Sequence, residues 1–376
     1  MTRHIVFMNW RDTANPEGGG SEVYVERIAR GLVTLGNRVT IVCAEHGQAP
    51  TDEVRDGIRF VRRGNKATVY ARAWWLAFRR QLGPVDLFVD VQNGLPFFVK
   101  LAGRTPVVVL VHHVHKEQWQ VVYPGLPGRV GWWLESRAAR RVFSGSQYVA
   151  VSQATRAELT RLGVRSDHIA VVHNGSEAAP TVTATQSSTP LVCSLGRLVP
   201  HKQIEHLIDA VEGLLPTHPD LHLAILGSGW WEDELVHYAK ERGLTDAISF
   251  EGHVGEQHKH EVLKASWLLA LPSLKEGWGL VIGEAAYHAR PALAYRSAGG
   301  TTESIRDGVT GLLADDKQDF AAKLRMLIED DKLRARLGGQ AHDQATSYTW
   351  EHATESFAHI IEAVLAGERV AAVDPD

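Results

Sequence analysis

At 376 residues the chain is longer than one compact core usually serves, so two domains are expected. A net charge of −4 gives no reason to expect a nucleic-acid partner, and no apolar run approaches the roughly 20 residues that cross a bilayer. Cys43 and Cys193 lie far apart in apolar strand-like runs and read as reduced core residues of a cytoplasmic protein, not as a disulfide or a metal site. The N-terminus passes at once from an apolar run into a Gly-rich loop, which is not the pattern of a signal peptide.

The charge is unevenly spread. Residues 1–180 hold 23 Lys and Arg against 15 Asp and Glu, a balance of +8, and the remainder holds 17 against 29, a balance of −12. A basic front half fits an anionic partner such as a membrane surface, or an attraction between two domains of opposite sign.

His4–Met8 reads as the first strand. Asn9–Gly20 is a loop closing on Gly18-Gly19-Gly20, Ser21 is a candidate N-cap, and a helix runs to about Leu35, where Gly36 ends it. Val39–Ala44 follows as a strand. This order is a βαβ unit, but the glycines do not space as G-x-G-x-x-G, so a dinucleotide cofactor is disfavoured. The triplet instead leaves room for phosphate or sugar to approach the backbone.

Further strands are expected at Ile58–Arg62, Leu87–Val91 and Val107–Val111, with a helix at about Tyr70–Leu82. The Val107–Val111 run is wholly apolar, as in a central parallel strand, and ends in His112-His113-Val114-His115. Ligands gather at the carboxyl ends of such strands, which gives His112 or His113 a claim to function. Adjacent histidines point apart in an extended chain, so a metal site is disfavoured. Gln118–Phe143 is rich in aromatic residues and arginine, with a helix over Arg129–Phe143 in which Glu135 is expected to pair with arginine. An amphipathic helix packed on the sheet is the simpler reading of this stretch, and a membrane-surface helix the other. Tyr148–Ser152 and Ile169–His173 complete the strands of this half, and the Ser/Thr/Ala/Pro-rich residues 177–190 read as a linker.

The α/β alternation then restarts. Leu191–Leu195 is a strand, followed by Gly196-Arg197 and Lys202, then a helix from about Ile204 to Leu215. Two cations between a strand end and a helix start form a diphosphate clamp, Arg as a planar fork and Lys as a mobile point charge. Strands at Leu221–Leu226 and Ile248–Glu251 lead into the glycine loops Gly227-Ser228-Gly229 and Gly252-His253. A helix from about Glu256 precedes the strand Trp267–Leu271. Next come the turn Gly277-Trp278-Gly279, a helix over about Leu280–His288 and a strand at Pro291–Tyr295. Glu276 stands in the loop and Glu284 on the helix. Glycines and a helix start suit an anion, and the two carboxylates suit hydroxyls attached to it; a sugar nucleotide carries both. Helices are expected at Lys317–Asp330, Asp331–Ala345 and Trp350–Ala366.

Five features, in this order, resemble the retaining glycosyltransferases of family GT4, which have the GT-B architecture. These are Gly18-Gly19-Gly20 before the first long helix, His112, Asn174-Gly175, Gly196-Arg197 with Lys202, and E-G-W-G-L-V-I-G-E, which matches the family's E-x7-E motif. The resemblance implies two Rossmann-like domains facing across a cleft, an acceptor-side domain at 1–178 and a nucleotide-sugar domain at 190–348. A C-terminal helix and tail at 349–376 would return to the first domain.

It implies that Glu276 binds hydroxyls of the donor sugar and Glu284 those of the ribose, while Arg197 and Lys202 neutralise the departing diphosphate. Backbone at Gly19, Gly20, Gly196, Gly227 and Gly277-Trp278-Gly279-Leu280 would contact sugar and phosphate, and His253 and Val254 the base. His112 would lie by the reacting face of the sugar. Asp12, His113 and Trp119 are acceptor candidates by position. The implied reaction transfers a hexose-type sugar from a UDP- or GDP-sugar to a hydroxyl, such as that of a lipid-linked saccharide, a glycan precursor or a small natural product. No metal or other cofactor is implied, and peripheral contact with an anionic inner membrane face is a further expectation. A UDP-N-acetylglucosamine epimerase of the same fold, or a non-catalytic sugar-nucleotide-binding protein, are the alternatives.

Overall fold

The computed structural model describes residues 2–177 and 179–371. The chain divides into two compact units, one comprising residues up to Gly175 with the segment from Trp350 onward, the other Ser176–Thr349. The expected boundary at residue 178 and the tail beyond residue 371 lie outside the described residues.

The first unit is built on the strands β1 (His4–Met8), β2 (Arg38–Cys43), β3 (Asp52–Arg55), β4 (Ile58–Arg62), β5 (Leu87–Gln92), β6 (Val107–Val111), β7 (Gln147–Ala150) and β8 (Ile169–Val171), in the order β3-β4-β2-β1-β5-β6-β7-β8. All pairings are parallel except β3 with β4, a hairpin turned at Asp56 (φ 52°) and Gly57 (φ 77°). Positive φ at both turn residues is what Asp-Gly supplies. Its helices are α1 (Gly20–Thr34), α2 (Val69–Phe78), α3 (Lys116–Val122), α4 (Leu126–Trp133), α5 (Ala139–Val142) and α6 (Gln153–Arg161). Residues Leu134–Ala138 between α4 and α5 wind as a π-helical turn.

The second unit carries β9 (Leu191–Leu195), β10 (His222–Leu226), β11 (Ile248–Gly252), β12 (Leu268–Leu271), β13 (Ala292–Tyr295) and β14 (Gly311–Ala314), all parallel, in the order β11-β10-β9-β12-β13-β14. Helices α7 (Ile204–Glu212), α8 (Glu232–Glu241), α9 (Glu256–Ala265), α10 (Leu280–Tyr287), α11 (Thr301–Ser304), α12 (Lys317–Glu329) and α13 (Asp331–Ser347) accompany them. β12, β13 and β14 are buried along their whole length because both sheet faces are covered, while β11 at the edge carries the exposed Glu251. Val192, Leu223, Ile225, Leu268 and Ala270 enter one core, and their neighbours Cys193, Ala224, Leu226, Leu269 and Leu271 enter another. That period of two is the signature of a doubly covered parallel sheet.

The last helix, α14 (Trp350–Leu365), packs on α1 in the first unit. A Cβ at Gly31 would stand 2.2 Å from Thr354 Oγ1, so glycine is required at that crossing. Phe357 stacks on Phe7 with ring centroids 6.2 Å apart.

Several local expectations need correction. α1 begins at Gly20 with Gly19 as N-cap, and Ser21 lies inside it: the Glu22 carboxylate accepts from the Gly19 amide at 2.7 Å, the half of a capping box that a glycine N-cap allows. The arginine-rich helix begins at Leu126, and α3, β3, α8 and β14 lie where no element was expected. Residues in the stretch expected as a linker are hydrogen-bonded to the second unit: Ser187 N donates to Ala265 O, and Trp267 Nε1 and Lys264 Nζ donate to the carbonyls of Ser187 and Val182. Both cysteines are free and buried. No helix among the described residues is long and apolar enough to cross a membrane.

Candidate active site

In the second unit the candidate residues converge at the carboxyl ends of the strands. β9 ends at Leu195 and Gly196 follows it, after which Arg197 stands exposed and Lys202 closes a short 3-10 turn, Pro200–Lys202, ahead of α7. The loop after β12 is docked against this turn by Leu274 N donating to His201 O at 2.9 Å. Glu276 is fixed through its own backbone, its N–H on Ala298 O at 2.8 Å and its carbonyl accepting from Gly300 N at 3.1 Å. A Cβ at Gly300 would stand 1.9 Å from Gly277 O, so the glycine pair lets the two loops touch. The result brings Lys202 Nζ to 2.5 Å from Glu276 Oε1.

Gly279 (φ 84°) is the N-cap of α10, and no side chain caps that helix end. Trp278 is buried, edge-on to Tyr348 at 5.3 Å, with its carbonyl accepting from Ser304 Oγ at 2.8 Å. Its indole anchors the loop instead of lining a ligand surface. Glu284, one turn into α10, accepts from Lys259 Nζ through Oε1 at 2.8 Å. Its Oε2 is buried with no hydrogen-bond partner among the described residues.

Gly227 has a different reason for being glycine than close approach to a ligand. With φ 115°, its Cβ would stand 2.0 Å from Gly196 O, and a Cβ at Gly229 would stand 2.1 Å from Leu198 O. The glycines let this loop lie on the one after β9, where Leu198 N donates to Ser228 O at 3.0 Å. His253 is exposed after β11, and Val254 is half-buried against the core.

The first unit gathers a second set at its own strand ends. His112 follows β6, buried, its ring edge-on to Tyr24 at 5.2 Å. Its Nε2 is buried without a hydrogen-bond partner among the described residues. Burial, reinforced by the nearby His115, lowers its pKa to about 3, so the ring is neutral at physiological pH. His113 pairs with Gln118 Oε1 at 3.0 Å, and its ring lies tilted by 34° against that of His115 with centroids 4.1 Å apart. Gly18 and Gly19 are held inward: Gly18 N donates to Asn15 O, and Glu22, which caps Gly19, is buried beside Arg11.

Two acceptor candidates stand differently from expectation. Asp12 is fully buried and faces Arg62, whose Nε donates to Oδ2 at 2.7 Å, with His46 Nε2 at 3.1 Å from Oδ1. Oδ2 is thereby spent on Arg62, so the carboxylate is held inside the fold as a buried ion pair. Trp119 spends its indole N–H on Glu135 Oε2 at 2.5 Å. Among the described residues Glu135 pairs with no arginine side chain; it is buried in the π-helical turn and takes the His115 amide at 3.0 Å and His115 Nδ1 at 3.2 Å. Its isolation as an acid within a basic helix was a signal available in the sequence. Lys259 carried none, since a Glu256–Lys259 pair reads as ordinary helix surface. Gln92, also missed, ends β5 in register with Val111, and its Oε1 is buried and unpartnered among the described residues.

Residues 176–344 match the family Glycosyl transferases group 1, and residues 18–178 match Glycosyltransferase Family 4. The chain is 36% identical over 174 residues to a D-inositol 3-phosphate glycosyltransferase from Nocardioides sp., covering 42% of this chain and 38% of that protein. It is 25% identical to a glycogen synthase from Mycobacterium tuberculosis over 93% of this chain and 92% of that one. The chain spans under half the length of the first curated relatives it matches. Among solved structures it is similar to sucrose-phosphate synthase from Thermosynechococcus elongatus, with TM-score 0.83 at 17% identity, covering 97% of this chain and 100% of that one. It is also similar to Anabaena HepE in complex with UDP and glucose, with TM-score 0.77 at 20% identity, covering 96% and 100%. With two Rossmann-like units in the GT-B fold and family matches running from residue 18 to residue 344, the chain belongs to the group 1, family 4 glycosyltransferases.

Proposed function

We propose that the protein transfers a hexose-type sugar, with retained anomeric configuration, from a UDP- or GDP-sugar to a hydroxyl acceptor such as a lipid-linked saccharide, a glycan precursor or a small natural product. The observation that carries this reading is the convergence of Lys202, Glu276 and Glu284 around the uncapped start of α10. The cations and the helix start suit a diphosphate, and the two carboxylates suit the hydroxyls on either side of it. A solved relative of the same fold binds UDP-glucose, which makes UDP-sugars the first donors to test.

In the reaction the bond between the anomeric carbon and the diphosphate oxygen breaks, and the acceptor oxygen bonds to that carbon on the same face. The acceptor's proton passes to the departing phosphate oxygen. Arg197 and Lys202 stabilise the charge growing on the diphosphate, the largest electrostatic demand of the step. Glu276 holds sugar hydroxyls, Glu284 holds the ribose, and neutral His112 offers a hydrogen bond at the reacting face without adding charge. The acceptor is taken by the first unit, with His113 among its contacts. With two side-chain cations in this role, catalysis needs no divalent ion, and activity is expected to survive a chelator.

A membrane contact belongs to the same reading. Leu126, Val130 and Trp133 stand exposed on α4, near the exposed Arg129, Arg137 and Arg141, and suit an anionic lipid surface that carries the acceptor.

The test is a thermal-shift screen of nucleotide sugars, followed by nucleotide release with lipid and sugar acceptors and NMR of the product's anomeric proton. A ligand at 100 times its Kd adds about 2.7 kcal/mol of apparent stability, so a true donor is readily seen. Nucleotide release at background for every donor overturns the transferase reading, an inverted product the retention, and inhibition by a chelator that a divalent ion reverses the metal independence.

A further inference from the structure

The ribose reading of Glu284 leaves one group unexplained. Lys259, on α9, is largely buried, with a side chain 12% exposed. Its Nζ lies 2.8 Å from Glu284 Oε1, and 2.9 Å and 2.8 Å from Glu256 Oε1 and Oε2. Glu256 is exposed, so its carboxylate is solvated from outside while it holds the ammonium from behind. The helices α9 and α10 pack directly on one another, which makes this bridge a fixed part of the unit.

The two oxygens of Glu284 are thereby made unequal. Oε1 is spent on Lys259, while Oε2 is buried and accepts from nothing among the described residues. A buried carboxylate oxygen left unmatched is costly, and such atoms cluster where a ligand completes the set. A Glu side chain has three rotatable bonds, so an unpinned carboxylate would turn either oxygen, or neither, towards a ligand. Burial works against the charge on Lys259, but the field of Glu284 and the hydrogen bonds to Glu256 and Glu284 outweigh it and hold the lysine pKa above its usual value. The pin is therefore charged at neutral pH.

We propose that Lys259 is a positioning residue for nucleotide recognition: pinned between Glu256 and Glu284, it orients the free Glu284 oxygen towards a ribose hydroxyl and so makes the site selective for ribonucleotides over 2′-deoxyribonucleotides. This rests on the ribose reading of Glu284. Lys259 acts through that carboxylate and touches no reacting atom. A hydrogen bond to a charged acceptor that forms only in one geometry gives discrimination of roughly 10-fold or more, and loses it when the geometry is released.

The experiment is isothermal titration of the full chain with UDP and 2′-deoxy-UDP, and with the corresponding guanosine and adenosine pairs. It is run on the natural protein, Lys259→Met, Lys259→Arg, Glu256→Gln and Glu284→Ala. The natural protein is expected to prefer the ribonucleotide at least about 10-fold. Lys259→Met should bring that preference to within about threefold, chiefly by weakening the ribonucleotide, while Lys259→Arg keeps most of it. Glu256→Gln, an exposed change that leaves the fold intact, should lower it in part. A ribo-to-deoxy ratio unchanged in both Lys259→Met and Glu256→Gln, but lost in Glu284→Ala, overturns the role of Lys259 and leaves the ribose reading standing. A ratio unchanged in Glu284→Ala overturns the ribose reading itself, and binding of none of the nucleotides overturns both.

Discussion

Lys202 Nζ and Glu276 Oε1 lie 2.5 Å apart, although 74 residues separate them in the chain. The side chains are 21% and 13% exposed, so the pair is shielded but within reach of a ligand. Before a donor arrives, the cation proposed for the diphosphate neutralises the carboxylate proposed for the sugar. On the proposed reading, binding would exchange this contact for two others, one to each end of the same ligand, so that each residue would be satisfied only if both parts of the donor are present. Lys202→Ala and Glu276→Ala are each expected to lower kcat by about 10²–10³-fold. The double variant should cost far less than the product of the single losses, because the residues act as one unit. Steady-state kinetics on the four proteins, with thermal unfolding to confirm the fold, checks this; wild-type turnover in Lys202→Ala would remove the diphosphate role.

His112 predicts a pH dependence with a definite sign. Its folded pKa is about 3 against 6.5 for an ordinary histidine, so the unfolded chain binds the proton first. The stability this provides is complete above about pH 6.5 and is lost as pH falls towards 3, at about 1.4 kcal/mol per pH unit. Asp90 opposes it: burial raises its pKa to about 7, so its contribution is complete below the ordinary value of 3.8 and is lost as pH rises through 7. The wild-type slope is thus a difference, and His112 is read by comparison with His112→Gln. Urea unfolding between pH 4 and pH 6 should show wild-type stability rising more steeply with pH than the variant's, by about one proton's worth. His112→Ala should also cut turnover about 10²-fold, as loss of one fixed polar contact at a reacting centre does. Equal slopes would contradict a buried neutral ring.

Most strands of both units were legible because buried parallel strands read as apolar runs bounded by turn residues, although the four-residue β14 was passed over. Three kinds of feature were not. β3 is a charged edge strand, Asp-Glu-Val-Arg, and nothing apolar announces it; only the Asp56-Gly57 pair could have. Gly227 was read as approaching a ligand, but its missing side chain makes room for Gly196 O, and a sequence cannot say which neighbour a glycine accommodates. Polar networks were least visible. Glu135, Lys259 and Asp12 take their meaning from partners 20, 25 and 50 residues away. Lys202 and His112 were singled out from their places after strands, because the fold itself makes such ends informative.

Asp12 separates a structural from a functional role. Its carboxylate and the Arg62 side chain are both fully buried, and Arg62 also approaches Glu53 at 2.9 Å. Removing one member of a buried pair strands the other charge, at a cost of about 3–5 kcal/mol. Asp12→Ala is therefore expected to unfold at markedly lower urea with acceptor KM unchanged in the protein that remains folded. Wild-type stability combined with a raised acceptor KM would return Asp12 to the substrate.

The membrane contact gives the last prediction. Leu126, Val130 and Trp133 are 72%, 48% and 52% exposed, and their i, i+4, i+7 spacing sets them along one face of α4, with Tyr123 exposed just before it. An amphipathic helix packed on the sheet would turn such a face inward, whereas this one turns it outward. Each side chain placed in the lipid interface contributes at most about 1.5–3 kcal/mol, and each arginine near an anionic surface about 1 kcal/mol. Together they support reversible binding that weakens with salt. Sedimentation with vesicles of 30 mol% (about one third) anionic lipid should capture the protein at low ionic strength and release it as salt shortens the screening length. Leu126→Ser with Trp133→Ser should reduce capture at least about tenfold without changing thermal stability, since neither side chain is buried in the fold. Arg137→Gln with Arg141→Gln should instead flatten the salt dependence. No capture on anionic vesicles at low salt would sink the membrane contact and leave the exposed face of α4 without a lipid role.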